Sequence, residues 1–341
     1  MQIRLSGVHR GHPIGGECEL TYTVIPLLFL LTQQSPTPPL LFVSNERART
    51  VTIIDRDTRR VVADIPVPGR PRGISVSPDG RRVYVALSDT ARQKAGPADG
   101  VVAIDIAERR IVERLPAGTD PEQFAISPDG AWMFTSNEDA GTATAIDLRQ
   151  RKIAGRFVVG LEPEGVAISP DGRWVYVTGE TSSTISVIDI RAQQPATNFL
   201  VGARPRAATF SRDGRTAYVS AEVGRTLTVV DVATHTPVAT IAITDSGAKP
   251  VGVALSPDGR WAYVATGRGN SVAVVDLTAR RQVASIPVGQ RPWGIAITRD
   301  GRTLYTANGL SGDVSVIDIA QRQVIATIPA GAGAWGVAVT P

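Results

Sequence analysis

Histidine is nearly absent from this 341-residue sequence: His9, His12 and His235 are the only three. That scarcity works against a Ser-His-Asp hydrolase, which needs an imidazole base, and against haem ligation or a histidine-rich zinc or copper site. Cysteine is represented by Cys18 alone, so an intramolecular disulfide is excluded and no thiolate metal cluster is available. Lysine is equally scarce, with Lys94, Lys152 and Lys249. The formal charge of +4 and the pI near 9.5 therefore come from arginine. Most arginines stand singly beside turn aspartates, as in Asp213-Gly214-Arg215 and Asp300-Gly301-Arg302. This describes a locally compensated surface rather than a phosphate track, so nucleic acid is not an expected partner.

No apolar run is long enough to cross a membrane as a helix, which takes about 20 residues. The longest, Tyr22 to Leu31, is followed by a polar, proline-rich exit. With Arg4 and Arg10 upstream it has the length of a secretory hydrophobic region, although Glu17 and Glu19 intervene and no small-residue cleavage motif follows. Residues 1–40 are read as an N-terminal tail with an imperfect signal peptide and a linker. A disordered tail carrying an accidental apolar patch is the other reading.

Leu, Glu and Lys, the usual helix builders, are sparse, whereas 33 Gly, 24 Pro and abundant Val, Ile and Thr favour short strands and tight turns. From residue 41 onward one pattern recurs. Its register is set by Ser77-Pro78-Asp79-Gly80, Ser127 to Gly130, Ser169 to Gly172, Ser211 to Gly214, Ser256 to Gly259 and Thr298 to Gly301, with Thr340-Pro341 beginning a seventh copy. The intervals are 50, 42, 42, 45, 42 and 42 residues. Helical repeats would need amphipathic helices, and none are visible. Four short strands per unit at this period predict an all-β fold, a seven-bladed β-propeller of four-stranded antiparallel blades.

Each unit reads as an inner strand A, then B, C and an outer strand D. Asp-Gly supplies the positive-φ position of the A to B turn. The aspartates ending strand C, from Asp55 to Asp318, are placed to bond backbone N–H groups of the next turn rather than to form a metal ladder, because each belongs to a different blade. The array begins mid-repeat with B, C and D strands and ends with a lone A strand, Ala334 to Thr340. Pairing that strand with Leu41 to Asn45 closes the ring and removes two sheet edges, making 41–341 the propeller domain.

Departures from the repeat concentrate on the face carrying the D to A and B to C connections. Eight extra residues fall at Ala91 to Asp99, and three near Thr244 to Lys249. Insertions on one face mark a binding face. The residue after the proline that opens strand A should ring the channel mouth: Arg72, Glu122, Glu164, Arg206, Val251 and Trp293, with Trp335 after Ala334. At the end of strand B the set is Glu46, Ser88, Glu138, Glu180, Glu222, Gly267 and Gly309, with Asn45, Asn137 and Asn308 one residue earlier.

Two readings of these rings stand. Carboxylates and arginines pair while the tryptophans cap the core; or one acidic sector and one open aromatic sector take a ligand with a polar or cationic end and an apolar body. His235, in a C to D turn on the opposite face, is read as simply exposed.

The strings Leu41 to Glu46, Tyr176-Val177-Thr178, Ser169 to Gly172 and Val230 to Thr234 resemble the YVTN-repeat propellers over residues 41–341. More narrowly, Ser136 to Asp139, Pro163-Glu164-Gly165, Gly179-Glu180-Thr181, Arg204-Pro205-Arg206, Ser220-Ala221-Glu222 and Tyr305 to Gly309 are similar to the seven-repeat propellers associated with pyrroloquinoline-quinone-dependent alcohol catabolism. The resemblance implies an exported, periplasmic accessory protein without established enzymatic activity, and no catalytic residues to carry over. It does not imply that this chain binds the quinone.

The expected function is therefore a non-catalytic binding or scaffold module with no metal and no cofactor. Its partner would be a periplasmic dehydrogenase or transport component, or a small alcohol-pathway ligand. A lactonase-like hydrolase using the same face is the alternative, by analogy of fold alone. A cell-surface repeat protein is the third reading.

Overall fold

A computed structural model describes residues 39–89 and 96–341. The tail expectation for 1–40 lies almost wholly outside the described residues, as do residues 90–95 of the first inserted loop. Among the described residues, no helix is long and apolar enough to cross a membrane.

The repeat builds seven four-stranded antiparallel sheets. Blade one pairs its A strand, Ala334–Val339, with B (Leu40–Asn45), C (Thr50–Asp55) and D (Arg60–Pro66). Blades two to seven follow in chain order, with A strands at Arg70–Val76, Pro121–Ile126, Pro163–Ile168, Pro205–Phe210, Val253–Leu255 and Pro292–Ile297. The closing register runs from Leu41 opposite Val339 to Asn45 opposite Ala334.

The closure copies a turn without its covalent link. In blade two the Ser77 N–H donates to the Arg82 carbonyl at 2.8 Å, and the Arg82 N–H to Ser77 Oγ at 2.9 Å. In blade one the Thr340 N–H donates to the Leu40 carbonyl at 3.0 Å, and the Leu40 N–H to Thr340 Oγ1 at 2.9 Å. The hydroxyl residue of the repeat thus makes the same two bonds where the first B strand meets the last A strand. In the six continuous copies the turn glycine has positive φ, from 67° to 71°, which an L side chain occupies only with strain.

B and C strands are buried on both faces, because each sheet packs against both of its neighbours. Phe42 and Ile53 of blade one, for example, share a cluster with Val83, Val85 and Val102 of blade two. The seven aspartates closing strand C each accept backbone N–H groups of the following turn. Those bonds hold the carboxyls of Asp55, Asp189, Asp231 and Asp276 below the usual range.

The A strands crowd the axis. A Cβ on Gly294 would sit 2.6 Å from the Trp335 carbonyl oxygen of the next blade, so glycine there lets neighbouring A strands touch. Hydroxyls of strand B then pin the mouth residues of the following blade: Ser44 Oγ donates to the Arg72 carbonyl at 2.6 Å, and Ser136 Oγ to the Glu164 carbonyl at 2.5 Å. The scaffold therefore fixes the backbone from which the mouth side chains start.

Candidate functional site

The A to B and C to D turns lie on one face, and the D to A and B to C connections on the other. At the second face the axis opens into a cavity of about 420 Å³. Nine of the sequence-predicted residues line it: Arg72, Glu122, Glu164, Arg206, Trp293, Trp335, Glu46, Glu138 and Glu180. Glu222 joins through Arg206 and lines an adjoining pocket. Asn308 does not line the cavity. It is buried, and its amide donates to Asp313 Oδ1 at 2.6 Å and Ser315 Oγ at 2.9 Å. Asn45 and Asn137 make the same kind of bond to threonines of strand C. These asparagines clamp the B to C turns.

The charged residues form two knots, each organised by an Arg-Pro-Arg triplet. Arg72 contacts Glu122 and lies 3.2 Å from Glu46 and 3.6 Å from Glu138, while Arg70 lies 3.4 Å from Glu46 and 3.5 Å from Asp120. Arg206 contacts Glu164, lies 2.5 Å from both Glu180 and Glu222, and is joined by Arg204 on the same two glutamates. Burial pushes the Glu164 carboxyl up to about 8, against the pull of Arg206 and with Glu180 adding to the rise. Two guanidiniums face three carboxylates in this knot, and among the described residues only Arg206 reaches Glu164. Burial opposes the charge of Arg206 itself, but those carboxylates hold it protonated. Asp120 is likewise raised by burial, with Arg72 pulling the other way.

Single oxygens of Asp120, Glu122 and Glu138 lie within 4.8 Å of one another, the spacing of a cation site. Arg72 sits among them and supplies the positive charge that a metal would bring.

Across the mouth the character changes. The rings of Trp293 and Trp335 lie 5.8 Å apart at 38°, and the guanidiniums of Arg206 and Arg291 stand 5.3 and 5.1 Å from the Trp293 ring centre. Gly309 and Gly333 replace bulkier side chains at the rim. The sequence offers two readings here, carboxylates paired with arginines or a sector for a ligand with a polar or cationic end. The structure engages the mouth carboxylates with Arg72 and Arg206, so the cations beside Trp293 without an ion-pair partner among the described residues are Lys249, Arg268 and Arg291.

Sequence reasoning missed the residues before the strand-A proline: Arg70, Asp120, Glu162, Arg204, Lys249 and Arg291. They form an outer tier of the mouth, and Asp120, Glu162, Arg204 and Arg291 have φ between 50° and 59°. The recurring X-Pro-X triplet was the available signal. His235 is also not simply exposed. Its Nδ1 lies 2.7 Å from the Tyr176 hydroxyl and its ring packs edge-on against Trp174 at 4.6 Å, while burial and the nearby Arg173 lower its pKa. It is a packed turn residue away from the cavity.

The sequence profile of the family described as lactonase, 7-bladed beta-propeller matches residues 191–325. That stretch includes Arg204, Arg206, Glu222, Arg291 and Trp293, and stops short of Trp335 and of the Arg72 knot. No curated protein matches at a significant level. Among solved structures, a hydrazine synthase chain of Kuenenia stuttgartiensis is 23% identical with a TM-score of 0.73, covering 89% of this chain and 99% of that one. A Bacteroides fragilis protein provisionally named a 6-phosphogluconolactonase is 18% identical, TM-score 0.75, over 90% and 99% of the two chains. A Bacteroides uniformis protein of the same provisional name is 19% identical, TM-score 0.73, over 89% and 99%. Likeness at this level speaks for the fold.

Proposed function

We propose that the mouth cavity binds cyclic esters and opens them by hydrolysis, a lactonase-like activity. The observation that carries the reading is one cavity in which carboxyl groups in contrasting surroundings meet guanidiniums beside a pair of indoles. The partial family match and the two provisionally named lactonases support the same reaction class. The lack of a histidine base does not oppose it, since a pair of carboxyl groups in different surroundings can serve as acid and base.

Glu138, with 32% of its side chain exposed and 3.6 Å from Arg72, is the base that takes a proton from water. The water oxygen attacks the acyl carbon, and Arg72 stabilises the oxyanion. The acyl C–O bond of the ring then breaks, and the Glu164 carboxyl, protonated below about pH 8, gives its proton to the leaving alkoxide. Solvent returns the proton from Glu138 to Glu164, leaving an open hydroxy acid.

Purified protein assayed against five- and six-membered lactones by acid release tests this. Glu138→Gln and Glu164→Gln are each expected to lower the rate by about 100-fold or more, the usual contribution of a proton-transfer group. Absence of turnover on every lactone, or full activity in both variants, overturns it.

A second reading follows from the recurring YVTN-like strings and from the ion pairing of the mouth carboxylates: a periplasmic, non-catalytic accessory module in quinone-dependent alcohol catabolism. Cell fractionation separates it from a cell-surface protein. Partner capture that survives loss of ring opening, and is abolished by Trp293→Ala with Trp335→Ala, would favour it over the hydrolase.

A further inference from the structure

The repeat supplies its own control for blade six. In blades one, three, four and five, strand B is followed by a glutamate that an arginine gathers: Glu46, Glu138, Glu180 or Glu222. Blades six and seven have Gly267 and Gly309 there. Blade six is irregular at both connections on this face. Its A strand is cut to three residues, Val253–Leu255, and its B to C connection is a single 3-10 turn, Gly267–Gly269. Gly267 has a φ of 53°, and a Cβ on it would lie 2.7 Å from the Lys249 carbonyl oxygen. The glycine lets the inserted D to A segment pack beneath the turn that carries Arg268.

Lys249 and Arg268 consequently line one pocket with Arg291 and Trp293, about 110 Å³ in volume and adjoining the mouth cavity. Arg291 is held at the rim by its N–H, which donates to Asn270 Oδ1 at 2.8 Å. Among the described residues none of these three cations has an ion-pair partner. Glu222, which also lines this pocket, lies against Arg206 at 2.5 Å, and Asp245 of the inserted segment accepts from Ser271 at 2.5 Å, from Ser285 at 2.7 Å and from Gln282.

From this juxtaposition we infer that blades six and seven form an anion-recognition subsite. Lys249, Arg268 and Arg291 take the phosphate or carboxylate of a ligand whose ring rests on Trp293 and Trp335. The inference rests on the mouth being the ligand site, as the hydrolase reading holds, but not on turnover. Converging cations favour an anion on approach and in the bound state, and an indole face favours a flat or ring-shaped body.

Isothermal titration of the full chain with phenyl phosphate, benzoate, phenol and phenyltrimethylammonium tests it without any reaction. Both anions should bind about tenfold tighter than phenol or more, the ratio expected of charge-assisted bonds, and added salt should weaken them. Phenyl phosphate and benzoate distinguish a phosphate from a carboxylate ligand. The K249Q/R268Q/R291Q protein should lose about tenfold in anion affinity and keep its affinity for phenol. Should the triple variant misfold by near-ultraviolet circular dichroism, R291Q alone carries the test, since Arg291 is exposed. The inference is overturned if phenyltrimethylammonium binds as tightly as the anions, if neither anion binds, or if the variants hold anion affinity within about twofold. Lactone turnover is read separately, so failure of hydrolysis and failure of anion binding cannot be confused.

Discussion

Across blades one to five, Arg72 and Arg206 gather the mouth carboxylates into two ion-paired knots, whereas blades six and seven have no carboxylate after strand B and carry Lys249, Arg268 and Arg291. Both arcs start from the same strand A geometry, pinned by the same kind of hydroxyl: Ser136 on Glu164 in one arc and Ser220 on the Val251 carbonyl, at 2.5 Å, in the other. The difference therefore lies in the mouth side chains and, in blade six, in a shortened strand A and a 3-10 turn in the B to C connection. Charge that is satisfied internally holds its geometry. Charge without an ion-pair partner beside an aromatic surface is what the proposed anion-recognition subsite rests on.

Blade one joins the arcs, and breaking it should give the largest effect. A chain ending at Gly333 loses strand A of blade one and, with it, Trp335. It uncovers Leu41 and Val43, both fully buried, and the edge of Leu40–Asn45. We expect loss of the cooperative unfolding transition in urea, followed by circular dichroism, because an open ring exposes two sheet edges and their core. A truncated protein that melts cooperatively near the full-length temperature would show that closure holds neither arc.

Next comes Arg206→Met, which leaves Glu164, Glu180 and Glu222 facing one another without their central cation. Removing one partner of a buried ion cluster costs about 3–5 kcal/mol, read as a shift in the urea midpoint. Arg204 softens the loss, since it stays in contact with Glu180 and 3.4 Å from Glu222.

Why the fold was legible and the charge pattern was not follows from the physics of each signal. The Ser-Pro-Asp-Gly turns need a positive-φ glycine, so their spacing gave the blades, and a final Thr340 without its turn gave the closure. The mouth ring was legible because a proline marks where strand A starts. The residue before that proline occupies the left-handed region in four blades, and no pattern of apolar alternation reports that. Asn308 was misplaced because neighbouring strand residues face opposite ways, so the residue before a mouth residue turns into the sheet. The sign of the open sector was illegible for a different reason. Composition counts charges, but only contacts show that two arginines absorb most of the carboxylates.

The paired arc should also carry a pH signature that the cationic arc lacks. With Glu164 raised to about 8 in the folded protein and near 4.3 when unfolded, the native state binds the extra proton between those values. Stability is therefore greatest at the acidic end of that window and declines as pH rises towards 8. Glu164→Gln should flatten this decline in urea midpoints taken from pH 5 to pH 8. In the hydrolase reading, wild-type turnover should also fall above about pH 8, where the donor loses its proton. A variant whose stability declines with pH as steeply as wild type would move the proton to another group of the knot.

The smallest effect is the most discriminating. Arg291 holds a φ of 56°, a conformation costing a side-chain-bearing residue about 1–2 kcal/mol. Its visible return is a cation–π contact with Trp293 at 5.1 Å, worth about 0.5–1 kcal/mol at an exposed site. Glycine at this position relieves the first and forfeits the second, so Arg291→Gly should change stability by no more than about 0.5–1 kcal/mol, as for other exposed positions without a structural partner. Arg204 has the same backbone, with a φ of 59°, but its half-exposed side chain is ion-paired with the buried Glu180 and with Glu222, so Arg204→Gly should destabilise the protein more than its twin. Thermal melts of the two variants side by side test whether the repeat keeps a strained arginine for the fold in one arc and for a ligand in the other. Equal losses would mean that both arcs are structural.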